Sequence, residues 1–489
     1  MTRVRWLFAA AAVVICVVTV WSGLAPQRLF EHDIFFLLDN GYRVTQGQVP
    51  HRDFSSAIGP AMYVIEAVGL KVSGMRPEGV AYANSLFGVL LALWAYWVSR
   101  NGLAGIYTLL LVVAPFAIGW GALNYSYGML YNRFGYALLG IVLLECVTGE
   151  LGVSTGAACV LLASLKMSYA VAAVPFVLFS WPFQRRRLGG LAIGGVVAAV
   201  VVLAYLRFDV GDMYRDLTLA ERSRAWSFRE MLSVGFGVGS VLEAVPLLLL
   251  GVLVGGRRAI GLAVLTFAVG GFLIATNHQP SGEPLVGYAA LAMVSGVAWK
   301  KASLGAGRRP GGLPHIALAG ICVAPLMVQS IVSVGGAAIE RRGGGIVFEP
   351  VSQSVTTETG GPAYQAVVDD GLDLLRRRTG PQDGVRTMDM LNPFNYLLRR
   401  PSPFGGMATA AWNYMFSEQA HIPPDRYFGT ARFVMQRKYD PKAGDYTIEN
   451  PNIAGLEQLY GPTLRERYAL IEETAHWRLY GLNARADSR

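Results

Sequence analysis

Residues 31–60 read EHDIFFLLDNGYRVTQGQVPHRDFSSAIGP, and they follow an apolar stretch, residues 5–22, that is long enough to cross a membrane. If residues 5–22 span the bilayer, residues 31–60 lie immediately outside it. The stretch opens with Glu31, His32 and Asp33, which is more polar chemistry than the cap of a helix needs. Acidic residues beside a lipid surface are costly to hold and usually have a function. The architecture and the candidate site of this protein therefore both depend on this stretch.

The composition places the chain among polytopic membrane proteins. Of its 489 residues, 53% are hydrophobic and 15% are charged, and the mean hydropathy is +0.39. An average soluble domain is about 25% charged. The net charge of +9 is spread over loop ends, which indicates membrane orientation and excludes nucleic acid as a partner. The cysteines lie in apolar runs without the spacing of a zinc site or a disulfide framework: Cys16, Cys146, Cys159 and Cys322.

The apolar runs predict eleven membrane-spanning helices. Their approximate ranges are 5–22, 79–98, 103–120, 134–149, 152–166, 168–182, 188–206, 233–254, 259–276, 284–299 and 313–334. Of the five short loops expected on the side of Arg3 and Arg5, four contain Arg or Lys, and the loop at Glu150 contains neither. This bias places the N-terminus in the cytoplasm and everything after about residue 335 outside. The first apolar region is longer than that of a cleaved signal peptide, so we expect it to stay in place as the first span.

Two helices are predicted in the first outer loop, one lying in the membrane interface (residues 33–46) and one that is interfacial or re-entrant (residues 60–73). Residues 60–73 are short for a span and contain two charged residues, and counting them as a span would place the later basic loops outside. Residues 33–46 form an amphipathic helix when they are plotted at 100° per residue. Asp39 and Arg43 are four residues apart on its polar side, which predicts an ion pair.

The C-terminal part changes from apolar to polar composition. Residues 335–362 have the Gly-bearing, polar composition of a linker, and residues 363–489 predict a small α/β domain. Its predicted strands are GVRTMDML, ARFVMQRK, YALIEET and WRLYGL, after one amphipathic helix. The predicted organisation is an all-α polytopic membrane domain over residues 1–334, with interfacial helices in its first outer loop, followed by the linker and a periplasmic α/β domain.

The stretch HDIFFLLDNGYRVTQGQVPHRDFSSAIGP resembles the first periplasmic loop of the GT-C superfamily of polyprenyl-phosphate-sugar glycosyltransferases, which includes protein mannosyltransferases and the lipid A aminoarabinose transferase. The matching positions are an acid, an aromatic residue, a turn, an Arg-Asp-Phe element and a final Gly-Pro, here Asp33, Phe36, Gly47 with Pro50, residues 52–54 and residues 59–60. The segment LLASLKMSYAVAAVPF resembles a later family segment and places Lys166 at the outer end of its helix.

The resemblance implies a GT-C-like fold in a bacterial inner membrane. It also implies the transfer of a sugar from a polyprenyl-phosphate donor to an envelope glycan, lipid or protein acceptor. Two positions depart from the family pattern, because Ile34 replaces the second acid of a pair and Asn132 and Arg133 stand near the other acidic position. If those carboxylates bind a divalent ion in relatives, Ile34 and Asn132 weaken the expectation of a metal here, and we assign no cofactor.

This reaction needs a base for the acceptor hydroxyl and cations for the leaving phosphate. Asp33 is the candidate base, because a carboxylate near a low-dielectric boundary has a raised proton affinity; the alternative is that it only caps its helix. Lys166 is the most informative cation, with snorkelling to the interface as its alternative. The predicted substrate-binding residues are Glu31, His32, Arg43, Arg52, Asp53, Asn132, Arg133, Lys166, Arg222, Arg224 and His278, and for His278 a solvated histidine is the alternative.

Two other functions stay open on the sequence alone. A transporter or flippase for a lipid-linked saccharide would carry charged residues at the midplane of several spans, whereas Glu243 is the one mid-span carboxylate that the predicted spans offer. A non-catalytic scaffold of the same fold is permitted by the missing second carboxylate.

Overall fold

The computed structural model describes residues 31–99, 130–148, 151–184, 187–223, 228–254, 257–277, 284–303, 317–325, 361–439 and 449–483, together with residues 346–348 and 353–355 and a few isolated positions. The described residues are mostly helical, with two small sheets. The chain folds as two compact units, each built from separate stretches of sequence. The first comprises Met1–Gly23, Ala81–Ala204 and Trp226–Ile339, and the second comprises Leu24–Val80, Tyr205–Ala225 and Glu340–Arg489.

The helices before residue 304 are, in chain order, α1 (Glu31–Thr45), α2 (Ala61–Val72), α3 (Glu78–Ser99), α4 (Leu130–Thr148), α5 (Val153–Leu165), α6 (Met167–Gln184), α7 (Leu188–Tyr205), α8 (Val210–Ser223), α9 (Phe228–Gly235), α10 (Val238–Val254), α11 (Arg257–Asn277) and α12 (Pro284–Ser303). The later elements are β1 (Ile346–Phe348), β2 (Gln353–Val355), α13 (Gly361–Arg378), β3 (Val385–Met388), α14 (Phe394–Leu397), α15 (Pro424–Phe428), β4 (Phe433–Arg437), α16 (Glu449–Arg467), β5 (Tyr468–Glu473) and β6 (Trp477–Leu482).

The first unit is built from apolar helices around α4, which packs against α5, α6 and α12 and is buried along most of its length. Among the described residues, two helices are long and apolar enough to cross a membrane by length and composition, Leu188–Tyr205 and Arg257–Thr276. The first of them exposes its apolar side chains almost all round, including Val196 and Val201. An apolar surface of that kind is unfavourable in water and fits a helix that faces lipid.

The predicted spans correspond to helices wherever the structure describes them, with one exception. Residues 5–22 and 103–120 lie outside the described residues, and of residues 313–334 the stretch 317–325 is helical. The span predicted over residues 233–254 begins later than expected, because its first residues belong to the end of α9 and α10 begins at Val238. The break falls at Gly235, where an added Cβ would lie 2.2 Å from the carbonyl oxygen of Gly271 in α11. The close approach of α9 to α11 therefore requires a glycine at this position.

Two further glycines bring the backbones of α5 and α7 into direct contact. A Cβ on Gly156 would lie 2.0 Å from the carbonyl oxygen of Leu191, and a Cβ on Gly194 would lie 1.9 Å from that of Val153. Small residues at a crossing let membrane helices approach closely enough for extensive backbone packing. The α5–α7 crossing is thus specified by glycine on both helices.

The second unit contains a four-stranded sheet of order β3-β4-β6-β5. β3 pairs with β4 in parallel, and β4 with β6 and β6 with β5 are antiparallel. All four predicted strands and the predicted helix are confirmed as β3 to β6 and α13. β1 and β2 form a separate antiparallel pair inside the stretch that was predicted as a linker.

The core of the second unit is aromatic. Tyr427 and Tyr460 stack with ring centroids 3.9 Å apart, and Phe428 and Tyr468 pack beside them. On the other side of the sheet, the indole nitrogen of Trp477 donates to the carbonyl of Val367 in α13. Aromatic residues of this size supply much of the buried apolar area that a small sheet needs.

The prediction that one side of α1 faces water is wrong. Residues 35–43 are all buried, including Asp39, Asn40 and Arg43 on the side that was expected to face water. The reason is that α1 belongs to the second unit together with α2, α8 and the C-terminal residues, whose backbone groups take the place of water.

Candidate functional site

Helix α1 contains Asp33. The polar side of this helix is hydrogen-bonded to the C-terminal part of the second unit. The amide nitrogen of Asn40 donates to the carbonyls of Phe36 (2.7 Å) and Ala408 (3.0 Å). Farther along, Gln46 bonds to the backbone of Arg400 and Ser402. Buried polar groups are stable only when they are hydrogen-bonded, so these contacts fix the orientation of α1 within the unit.

Arg43 is the centre of this attachment. Its guanidinium donates to Gln48 (2.9 Å), Pro403 (3.3 Å) and Gly405 (2.7 Å), and it lies 4.2 Å from the ring centroid of Phe54. Burial, together with the nearby charge of Arg386, lowers the pKa of Arg43 to about 9. The predicted ion pair with Asp39 is wrong, because the guanidinium is directed to these acceptors and only attracts that carboxylate at longer range. Its predicted role in substrate binding stays a prediction.

Asp39 is buried beside Arg43 and Arg386. Burial raises the pKa of its carboxyl to about 6, and the two guanidinium groups limit that rise. A carboxyl with this pKa changes its protonation in the mildly acidic to neutral range. Asp39 is therefore the described residue of α1 whose charge responds most to pH.

Arg52 and Asp53 form a bidentate pair with each other. The two guanidinium-to-carboxylate distances are 2.8 and 2.6 Å, and the backbone nitrogen of Val49 donates to the same carboxylate. Burial opposes the charged form of Asp53, but these hydrogen bonds outweigh it and lower the pKa. The backbone of Asp53 also accepts a hydrogen bond from Gly405. The structure thus places this predicted pair in a tight turn at residues 49–55, and the backbone of this turn is hydrogen-bonded to residues 405–408.

A second buried polar cluster in the same unit was not predicted. His51 is buried with a backbone φ of 72°, and its Nδ1 lies 3.2 Å from Asp216 of α8. Asp216 also accepts from the backbone of Ser56. Arg426 joins the cluster through Asp212 at 3.2 Å and through the carbonyl oxygen of His51. The sequence signal was the spacing of Asp216, Ala220 and Ser223, which places a carboxylate on the buried stripe of α8.

In the first unit, the predicted cations are held at the ends of three packed helices. Asn132 and Arg133 are buried in the first turn of α4, where the helix dipole disfavours a positive charge. Lys166 lies between α5 and α6, and its backbone nitrogen donates to Leu162 at 2.9 Å. Its ammonium is 5.1 Å from the ring centroid of Tyr131, also in the first turn of α4.

The packing of α4 on α6 explains why these residues meet. A Cβ on Gly135 would lie 2.6 Å from the ring of Tyr169, and the rings of Tyr136 and Tyr169 are 5.1 Å apart in an edge arrangement. The glycine therefore lets the first turns of α4 lie directly against the start of α6, next to Lys166. The sequence predicted Asn132, Arg133 and Lys166 for the same face, and the structure brings Lys166 to the helical turn that carries the other two.

The remaining predicted residues are placed less completely. For Glu31, His32 and Asp33 the structure describes the backbone, which is the first turn of α1, and not the side chains. Arg222 is exposed in the last turn of α8, and Arg224 and His278 lie outside the described residues. Within the described part of the chain, no three or more His, Cys, Asp or Glu side chains lie close enough together to hold a metal ion.

Comparison with known proteins identifies the fold. No protein-family model matches the chain, and no curated protein matches it in sequence. The crystal structure of ArnT from Cupriavidus metallidurans bound to undecaprenyl phosphate matches over 98% of both chains, with a TM-score of 0.54 and 14% identity. The structure of the same protein in the apo state matches over 99% of both chains, with a TM-score of 0.52 and 15% identity.

A match of this extent, at an identity this low, concerns the course of the backbone and not the functional side chains. It covers both compact units and confirms the fold that the resemblance at residues 31–60 implied. The chain therefore has the backbone fold of the ArnT structures from Cupriavidus metallidurans.

Proposed function

We propose that this chain is a membrane glycosyltransferase that moves a sugar from a polyprenyl-phosphate donor to a glycan, lipid or protein acceptor of the bacterial cell envelope. The observation that carries the proposal is the fold that it shares, over 98% of both chains, with an ArnT structure that holds undecaprenyl phosphate. The family-like residues at 31–60 and at Lys166 support it independently, because they are features of the sequence and not of the backbone course.

In the proposed reaction the acceptor hydroxyl loses its proton to Asp33, and its oxygen forms a bond to the anomeric carbon of the donor sugar. The bond from that carbon to the phosphate oxygen breaks, and polyprenyl phosphate leaves with the electron pair. A carboxylate suits this role because general-base catalysis needs an acceptor for one proton within hydrogen-bond reach of the hydroxyl. Asp33 lies in the first turn of α1, which the contacts of Asn40 and Arg43 hold in place.

Arg133 and Lys166 are the proposed phosphate-binding cations. A leaving phosphate gains negative charge, and preorganised cations in a poorly solvated site stabilise it more than water does. Arg133 is buried in a first helical turn, where a positive charge is unfavourable for the helix itself. Lys166 lies beside the same turn on an extended stretch between two helices. The two cations therefore lie beside the same helical turn, which supports a shared role in binding the leaving phosphate.

The proposed location is the bacterial inner membrane, with residues 335–489 on the periplasmic side. The alternation of Arg and Lys in the short loops supports this orientation. Polyprenyl-phosphate sugars that face the periplasm would then be within reach of acceptors in the envelope. The proposed domain limits remain residues 1–334, 335–362 and 363–489.

The proposal is tested by binding of the purified protein to undecaprenyl phosphate. Native mass spectrometry should detect a one-to-one complex with this lipid and a much weaker complex with undecaprenol, which has the same chain and no phosphate. In parallel, envelope glycans and lipids of a deletion strain should lack one sugar residue that returns on complementation. Equal binding of the two lipids, together with an unchanged envelope, would refute the assignment.

A further inference from the structure

A small cavity in the second unit is lined by polar side chains that have no role in the proposed transfer. It is bordered by Asp39 of α1, by Arg386 and Thr387 of β3, by Asp389 and Asn392 just after that strand, and by Tyr427 of α15. Its volume is about 20 Å³. A space of this size holds about one water molecule or one hydroxyl group of a larger molecule.

Several of these side chains present polar atoms that the rest of the described protein does not satisfy. Asp39, Arg386 and Thr387 are 5%, 4% and 5% exposed. Among the described residues, no hydrogen-bond partner exists for Asp39 Oδ1, Arg386 Nε, Thr387 Oγ1 or Asn392 Oδ1. Buried polar atoms without partners are rare in native proteins and are costly. Their convergence on one cavity therefore indicates a polar ligand.

The kinds of atoms restrict the chemistry of that ligand. Asp39 and Asn392 offer acceptors, Arg386 offers a donor, and the hydroxyl of Thr387 can do either. A ligand group that fits all of them must both donate and accept. A hydroxyl group does both, whereas a metal cation only accepts electron pairs and a phosphate at neutral pH mainly accepts hydrogen bonds.

The charges around the cavity also favour a neutral ligand. Asp39 is attracted by Arg43 and Arg386, and Asp389 is attracted by Arg437. A phosphate would meet two carboxylates, and a cation would meet the guanidinium of Arg386 in the wall. Carboxylates and a guanidinium thus line the same cavity, so its wall offers both acceptors and a donor while the opposite charges offset each other.

We infer that this cavity in the second unit binds a hydroxyl group of a neutral saccharide through Asp39, Arg386 and Thr387. The site serves glycan recognition apart from the transfer reaction, because none of its residues acts in that reaction. Asp39 and Arg386 come from segments more than three hundred positions apart in the chain, so the site exists only in the folded unit. The saccharide ring itself lies outside the cavity, since the cavity has room for one functional group.

The test is ligand-observed NMR on the full chain in lipid nanodiscs. Saturation transfer should reach methyl glucopyranoside, methyl galactopyranoside or methyl mannopyranoside, and it should identify which hydroxyl lies closest to the protein. Thr387→Val and Asp39→Asn should each weaken the binding of that sugar by about 10-fold, because each removes or weakens one buried hydrogen bond. Asp373→Asn, an exposed carboxylate on α13, is the matched control and should leave it unchanged.

Thermal unfolding of each variant separates loss of binding from loss of folding. A variant that unfolds near the wild-type temperature and has lost saturation transfer supports the site. The inference is overturned by the absence of transfer to all three sugars, or by equal transfer to wild type and both variants. It is also overturned if inorganic phosphate or Mn²⁺ binds in place of the sugars with the same dependence on Asp39. Undecaprenyl phosphate binding is measured on the same samples, so a failure of this site is distinguishable from a failure of the proposed transfer.

Discussion

At the scale of the residue, Asp33 is the decisive position. If it is the base, Asp33→Asn keeps the size of the side chain and removes the proton acceptor, so the rate of sugar transfer should fall by about 10²–10⁴-fold. The rate is measured with purified protein and a polyprenyl-phosphate sugar. Asp373→Asn should retain full activity. A near-wild-type rate for Asp33→Asn would show that the residue only caps α1.

The cations of the first unit give a second prediction. Lys166→Ala and Arg133→Ala should each weaken the binding of undecaprenyl phosphate by about 10- to 100-fold, because each loses a charge-assisted contact worth roughly 1.5–3 kcal/mol. Lys71→Ala, which neutralises an exposed lysine of α2, serves as the control. A lysine that merely snorkels would instead lower expression and leave donor affinity unchanged in the protein that remains.

Asp39 predicts a pH dependence of stability. Its folded pKa is raised to about 6 from 3.8, so the folded state holds a proton that the unfolded state releases, and stability falls as the pH rises through this window. The loss is at most about 3 kcal/mol. Asp39→Asn cannot release a proton, so its unfolding temperature relative to wild type should rise between pH 4 and pH 6.5 and then level off. A difference that is constant over that range would contradict the assignment.

At the scale of the element, the attachment of α1 depends on the conformation of residues 405–406. Gly406 has a φ of 74°, and an added Cβ would lie 2.1 Å from the guanidinium of Arg386. Gly406→Ala should therefore destabilise the second unit by about 2 kcal/mol or more, through backbone strain and displacement of Arg386. Gly211→Ala in α8 has open space around it and should be neutral or slightly stabilising. Thermal unfolding monitored by tryptophan fluorescence distinguishes the two.

The elements themselves were largely predictable from sequence, because their signals are local. Strand β4 (Phe433–Arg437) coincides with a short apolar run of the right length for a strand. The apolar residues of α13, such as Val368, Leu372 and Leu375, recur every three to four positions, as in a helix with one buried side. The burial of the polar side of α1 was not predictable. The side chain of Asn40 donates a hydrogen bond to the carbonyl of Ala408, which is 368 residues away in the sequence. No local sequence pattern distinguishes a polar helix side that faces water from one that faces backbone carbonyls.

The residues of the candidate site were likewise predictable only where their signal is local in the sequence. Asp33, Arg133 and Lys166 were identified from the chemistry of their types and from the family-like loop. The cluster of His51, Asp216 and Arg426 and the cavity around Arg386 were missed, because each unites residues from distant segments. Arg386 and Asp389 lie in the segment GVRTMDML, whose sequence predicts a strand and gives no sign that these two side chains border a cavity.

At the scale of the whole molecule, the proposed orientation is testable with reporters fused to the C-terminus. The Arg and Lys alternation predicts that residues 335–489 are periplasmic, so an alkaline phosphatase fusion should be active. A fusion of a fluorescent protein that matures only in the cytoplasm should be dark. The reverse pattern would invert the topology and would move the second unit to the cytoplasmic side.

The composition of the second unit from residues 24–80, 205–225 and 340–489 has a consequence for how the protein is made. Helix α1 leaves the ribosome long before the residues that bury its polar side, since Asn40 precedes Ala408 by 368 positions. At about 5–20 residues per second, this helix waits roughly 20–70 seconds for its partner segment. Throughout that interval water or a chaperone must replace the hydrogen bonds that Asn40 and Arg43 later make with Ala408, Pro403 and Gly405. A nascent chain that is stalled before residue 400 should therefore be cleaved by protease in the first loop, and a completed chain should be protected there.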